Sequence, residues 1–366
     1  ALKAFSVTGH GDTRNKAVNG QSIDNWHYNR EDMKYGFLRQ KAANHWFGYG
    51  ALDPEDRKKP NEKWGLGPDG KRMVPGCYTG HPCLINVLED GKMDYISSVL
   101  PEYREMPGKR LHQVTDMVAL WVEDTQKLCV CEKCTAPIKL PDGKTVDVKN
   151  PAFRSTQFFD FLNKVTAELN KTWPDLKVQT YGYFFTATPP LIKVNTNINV
   201  LFCPYPRKDY RTPLCSPMND HWHRMAKGFA EKTNVVVREY YGIFTFGRPF
   251  AEVVAWDVKD YIARGTYGFA SEISTDGMRI WWDGAVRGAG DDWDFNMMEF
   301  WLISRIYWNP DADVEALRKY YIRRTFREAA PEMEKFFGTI RSEYYKNTLP
   351  CGWMEAPSFA RFKIDS

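Results

Sequence analysis

From about residue 115 onward two hydrophobic periods alternate along the chain. Apolar runs of strand length are followed by stretches whose apolar positions recur at helical spacing. "DMVALWVED" (116–124) is the first continuous run and reads as a strand buried on both faces. In "RSTQFFDFLNKVTAELNKTW" the residues Phe158, Phe161, Leu162, Val165 and Leu169 fall on one helical stripe. Strands at "LKVQTYGYFF" (176–185) and "TNINVLFCPY" (196–205) follow, and Pro189-Pro190 forbids helix between them. A helix over "NDHWHRMAKGFAEKT" leads to the strand "NVVVREYYG" (234–242). The next helix has Pro249 near its start and Gly265 as its stop, and the strand "TYGFASEIS" (266–274) comes after it. A helix closed by Pro310, and two more near 313–326 and 331–346, finish the pattern.

The first 115 residues are less regular. "LKAFSVTG" (2–9) reads as a strand and "RQKAANHWFGYG" (39–50) as a helix running into a loop. The segment 50–85, rich in Gly, Pro and Lys, predicts long loops. Repeated β-α units with buried strands predict an α/β fold with a parallel sheet. The expected architecture is a TIM-like (β/α)8 barrel over residues 1–310, with a C-terminal helical extension, 311–366, packed on it. A doubly wound open sheet is the alternative. No Gly-rich fingerprint follows the first strand, which argues against a dinucleotide site.

Composition narrows the function classes. Of the 366 residues, 43% are apolar and 26% charged, as in a globular protein. The net charge of +4 is nearly balanced and no Lys/Arg block stands out, so nucleic acid is not an expected partner. No apolar run reaches membrane-spanning length. The chain starts at Ala1 without a basic-plus-apolar leader, so a mature or trimmed chain is expected. Aromatic residues reach 15%, with 13 Trp and 19 Tyr. Large cores account for most of them, and a ring-lined cleft of the kind that takes sugars is the second reading.

In a barrel of this kind the active site lies at the C-terminal ends of the strands. That rule selects Glu123 and Asp124, Glu239 at the end of "VVVRE", Glu272 in "GFASE", and Tyr181 and Tyr183 between them. Such acids also cap helices or pair with Arg238 or Arg279, but three positions converging on one mouth favour chemistry. Carboxylates in an aromatic-rich mouth suit glycoside hydrolysis. Neighbouring strand side chains diverge, so Glu123 and Asp124 are expected to take separate tasks rather than share a proton. His45 and Trp46, at an apparent helix end, and Trp281 and Trp282, in a loop after Glu272, are candidates to contact sugar rings. Core packing is the alternative for the tryptophans.

Directly after the acid pair, Cys129, Cys131 and Cys134 form C-x-C-x-x-C. The spacing suits thiolates on one structural zinc, with Cys83 or Cys77 as a fourth ligand. Disulfides or buried thiols are the other readings. Either way the cysteines would stiffen the loop that presents Asp124, and no cofactor is expected for catalysis. The seven His show no H-E-x-x-H spacing, which argues against a zinc protease.

Four stretches carry a resemblance. They are "DGKRMVPGCYTGHPCLINVLEDGKMDYI", "WVEDTQKLCVCEKC", "YGYFFTATPP" and "FWLISRIYWNPDADVEALRKYYIRRTFREAAPEMEKFF". In this order they resemble the bacterial proteins grouped as domain of unknown function 4838, which include glycoside hydrolase family 163. The resemblance implies a TIM-like barrel and a retaining endo-β-N-acetylglucosaminidase that cuts the chitobiose core of N-glycans. It also implies a secreted, periplasmic or cell-surface protein of Bacteroidota acting on a carbohydrate or glycoprotein partner. Carried over by position, Asp124 is the general acid/base and Glu123 holds the 2-acetamido group. Two departures stand out. Glu123 occupies a position where the family carries Asn, and "REYYGIFTFGRPF" replaces a Trp-Asp-Tyr strand end, bringing Glu239 near the site. Both leave open an α-glucuronidase-like or exo-acting glycosidase that pairs Asp124 with Glu239 or Glu272, and a non-catalytic carbohydrate-binding barrel.

Overall fold

A computed structural model describes residues 8–9, 40–41, 56, 58–76, 78–89, 117–242, 248–266, 268–273, 279–282, 285–288, 292–346 and 348–352. In chain order it holds β1 (Thr8–Gly9), β2 (Gln40–Lys41), α1 (Leu84–Glu89), β3 (Met117–Ala119), α2 (Glu132–Thr135), β4 (Ile138–Lys139) and β5 (Thr145–Val146). Then come α3 (Phe153–Thr172), β6 (Lys177–Gly182), β7 (Ile198–Phe202), α4 (Asp220–Ala230), β8 (Asn234–Gly242), α5 (Ala251–Ala263) and β9 (Gly268–Ile273). The chain ends with β10 (Arg279–Trp282), β11 (Ala285–Gly288), α6 (Asp292–Trp308), α7 (Val314–Phe326) and α8 (Ala330–Lys346). This is a mixed α/β architecture in two compact units, one of His27–Cys203 with Met225–Val236, the other of Ala1–Trp26, Pro204–Arg224 and Val237–Ser366.

The first unit is built on four parallel strands in the order β2-β3-β6-β7. Every residue of β7 is buried, and so is all of β6 after Lys177, as expected of strands covered on both faces. The long helix α3 lays Phe158, Phe161, Leu162, Val165 and Leu169 into the core, each at most 4% exposed. Burying a side chain of this size contributes about 1.5–3 kcal/mol. Phe159 also turns inward and meets Phe229, which packs on Phe202 of β7. Pro174, which cannot continue a helix, follows Trp173 at the end of α3.

In the second unit β1 runs parallel to β9, with Thr8 opposite Glu272, and β8 lies beside β9. The C-terminal helices α7 and α8 group with α5 and α6 here. Asp313 caps α7 by accepting the Ala316 N–H at 2.9 Å. Arg318 and Arg341 each bond both Glu252 and Glu315, at 2.6–3.2 Å, tying α5, α7 and α8 together. No helix among the described residues is long and apolar enough to cross a membrane.

Two local readings are corrected. Gln40–Lys41 is not helical but pairs in parallel with Met117–Val118, a non-local partner that overrides local propensity. Trp281 and Trp282 are not in a loop but in β10, which forms an antiparallel hairpin with β11. The Asp283-Gly284 pair between those two strands is the sequence signal for such a hairpin.

Candidate functional site

β3 gives way to an extended segment that stays on β6. The Leu120 N–H donates to the Gln179 carbonyl at 2.8 Å, and the Thr180 hydroxyl donates to the Leu120 carbonyl at 2.7 Å. This pairing keeps Leu120, Trp121, Val122 and Glu123 buried, and Asp124 is the first half-buried residue after them. On the neighbouring strand β6 the chain reaches Tyr183, whose hydroxyl donates to Asp124 Oδ1 at 3.0 Å. Phe184 then adopts a φ of 48°, a left-handed conformation uncommon for a bulky residue, and turns the chain sharply behind Tyr183. The Thr186 hydroxyl accepts the Tyr183 N–H at 3.1 Å, and Phe184 packs 4.1 Å from the Tyr183 ring. Tyr181 packs against Trp121 with ring centroids 4.7 Å apart. A phenol and a carboxylate are thus held together at the C-terminal edge of two adjacent parallel strands, where ligands of such sheets bind.

Glu123 is enclosed, with none of its surface exposed. Its backbone N–H donates to His81 Nε2 at 3.2 Å, and His81 Nδ1 lies 3.1 Å from the Lys127 carbonyl. Nε2 must accept from an amide, so the proton sits on Nδ1 and is donated to Lys127. The neutral imidazole therefore straps the segment before α1 to the two ends of the turn that carries Asp124. Sequence reading missed His81; its one signal is its place two residues before Cys83.

Beside this strap four sulfurs converge. Those of Cys83, Cys129, Cys131 and Cys134 all lie within 4.8 Å of one another. Cys83 Sγ is 3.5 Å from Cys134 Sγ and 3.8 Å from Cys131 Sγ. All but Cys131 are buried. The Leu66 N–H donates to Cys129 Sγ at 3.2 Å, and Leu66 in turn accepts the Val130 N–H. The two neighbouring thiols, with Leu66 as a further donor, push Cys129 well below the usual thiol range. Gly65 is needed here, because a Cβ would stand 2.3 Å from the His81 carbonyl oxygen. Arg154 and Gln157 on α3 both donate to the Cys134 carbonyl, at 2.8 and 3.1 Å. Of the two fourth ligands the sequence suggested, Cys83 joins the cluster, and Cys77 lies outside the described residues.

The remaining candidates are placed as follows. Glu239 belongs to the second unit and sits inside β8, which continues to Gly242. Its carboxylate accepts from Arg207 Nη1 at 2.9 Å and from the Tyr261 hydroxyl at 2.7 Å. The same Arg207 nitrogen reaches Asp257 at 2.7 Å, and Asp257 also accepts from Tyr241 and the Leu214 N–H, both at 2.6 Å. Burial pushes Glu239 up to about 7 against the pull of Arg207, while Asp257 adds to the rise. This is a closed ion network with the form of a structural support. Glu272 is in β9 and Trp281 and Trp282 are in β10, but their side chains, like His45 and Trp46 altogether, lie outside the described residues. The first unit therefore brings together Asp124, Glu123, Tyr181, Tyr183 and the cysteines.

No curated protein and no solved structure matches the chain. A family model described as a domain of unknown function, DUF4838, matches residues 12–338. That match takes in the strand-end acids, the four cysteines and the buried ion network alike, and by it the chain belongs to the DUF4838 family.

Proposed function

We propose that the protein is a glycoside hydrolase in which Asp124 is the proton-transferring acid. The observation that carries this reading is the Tyr183–Asp124 hydrogen bond of 3.0 Å at the C-terminal strand edge, on a carboxylate that is half-buried and reachable. A fixed carboxyl beside aromatic rings suits protonation of a glycosidic oxygen. The resemblance to glycoside hydrolase family 163 narrows the substrate to the chitobiose core of N-glycans, and we extend the parallel sheet to a (β/α)8 barrel on the same ground. The mechanism is then substrate-assisted and retaining. The 2-acetamido oxygen attacks the anomeric carbon while Asp124 gives its proton to the leaving oxygen. Water opens the resulting oxazolinium and returns a proton to Asp124.

Asp124 is half-buried rather than enclosed. Glu123, fully enclosed, would meet the acetamido group only after its surroundings open, and otherwise supports Asp124. Glu239 is engaged by Arg207 and Tyr261 and is assigned no proton transfer.

The test is incubation with a complex N-glycoprotein, with released glycans read by mass spectrometry, wild type beside Asp124→Asn. Glycans ending in one GlcNAc are expected from the wild type and none from the variant. Equal release by both removes Asp124 from its role. No release by a folded wild type, here and on simple hexosaminides and glucuronosides, removes the hydrolase reading.

A further inference from the structure

We propose that Cys83, Cys129, Cys131 and Cys134 bind one zinc ion as four thiolates, and that this closed site is structural. The sulfurs come from two distant segments, the start of α1 and the C-x-C-x-x-C turn around α2, yet all lie within 4.8 Å of one another. A tetrahedral site with zinc–sulfur bonds of about 2.3 Å has sulfur–sulfur edges of roughly 3.8 Å. The two separations from Cys83, 3.5 and 3.8 Å, match that edge. They are far beyond the ~2.05 Å of a disulfide bond. All four positions of a tetrahedron are filled by protein, and three of the four residues are buried, so no position is open for water or substrate.

The surroundings fit the charge. A divalent ion with four thiolates carries a net charge of −2. A backbone N–H faces the sulfurs, from Leu66 to Cys129 Sγ at 3.2 Å. The guanidinium of Arg154 stands by the cluster while bonding the Cys134 carbonyl. An amide donor and a nearby cation of this kind lower the cost of concentrating thiolates and orient the ligands. On binding, each protonated thiol releases its proton to solvent.

Zinc here would join the 63–89 segment to the turn after Asp124, since Cys129 lies on the same stretch of chain as the acid. The proposal does not depend on hydrolysis, and metal content is measured without any substrate. The experiment uses the untagged full chain, purified without added metal or chelator. Zinc and iron are counted by elemental analysis, and sulfur coordination is read by X-ray absorption at the zinc edge. One zinc per chain with four sulfur neighbours is expected. Cys83→Ser should lower the zinc content severalfold. If that variant does not fold, the wild-type stoichiometry and coordination still decide. A metal-free chain with freely titrating thiols, a disulfide found by mass, or iron in place of zinc would each overturn the proposal.

Discussion

The Tyr183 hydroxyl and Asp124 Oδ1 are joined by one hydrogen bond across two neighbouring strand ends. Tyr183 is 8% exposed and its ring packs between Tyr181 and Phe184, so the phenol is fixed by packing and points at the acid. Tyr183→Phe keeps the ring and removes only the donor. Stability should fall by about 0.5–1.5 kcal/mol, the net worth of one hydrogen bond. Glycan release should slow about tenfold, mostly in kcat, because Asp124 loses its orientation. Steady-state kinetics beside urea denaturation separates the two effects. An unchanged kcat would show that Tyr183 does not position the acid.

His81 makes a second prediction through a different group. It is 2% exposed, and its Nε2 accepts the buried Glu123 N–H. His81→Phe keeps a ring against Phe185 and leaves that amide without its acceptor. The expected loss is about 1–3 kcal/mol in chemical denaturation, the cost of an unsatisfied buried donor. A variant as stable as wild type would mean the amide has another partner within reach.

The helices from α3 onward were legible because each carries an apolar stripe long enough to outweigh local noise. The strands β6 to β9 were legible as buried apolar runs between stops such as Pro189-Pro190 and Gly265. β1 falls inside the apolar run read as a strand over 2–9, whereas β2, two residues paired with a partner far along the chain, lies in a stretch whose local pattern reads as helix. Asp124 and its neighbouring cysteines could be read from adjacency. That Cys83 joins them could not, since it lies far from the C-x-C-x-x-C turn along the chain and no spacing links the two. Glu239 shows the limit most plainly. It reads as a strand-end acid, but its meaning comes from Arg207 and Asp257, which no periodicity connects to it.

Arg207 is the centre of that network, with one guanidinium nitrogen serving two carboxylates and another reaching the Thr212 carbonyl at 2.6 Å. Arg207→Met fills much of the volume but strands Glu239 and Asp257 as unpaired buried acids. The expected loss is about 3–5 kcal/mol by urea denaturation. Adding Glu239→Gln and Asp257→Asn should recover part of it by removing the stranded charges. Failure of the triple variant to gain stability over the single one would show that the loss comes from packing.

Glu299 supplies a pH dependence. It is buried on α6, accepts the Ala251 N–H at 3.1 Å, and stands near Arg318 and Glu252. Burial pushes it from an ordinary 4.5 up to about 7; Arg318 pulls it down and Glu252 adds to the rise. Its folded pKa therefore lies above its unfolded one. Below pH 4.5 the group is protonated in both states and its contribution is fully present. As the pH rises toward 7 the unfolded chain loses this proton first, and the contribution drains away. A shift of this size amounts to about 3 kcal/mol. Glu299→Gln keeps an acceptor for Ala251 and cannot ionise. The stability of the variant relative to wild type should therefore climb by about that amount between pH 4.5 and 7.5, then level off. Urea denaturation in steps across this window reads the difference directly. A difference that stays flat would mean that Glu299 ionises in the folded protein as readily as in the unfolded chain, with Arg318 offsetting its burial in full.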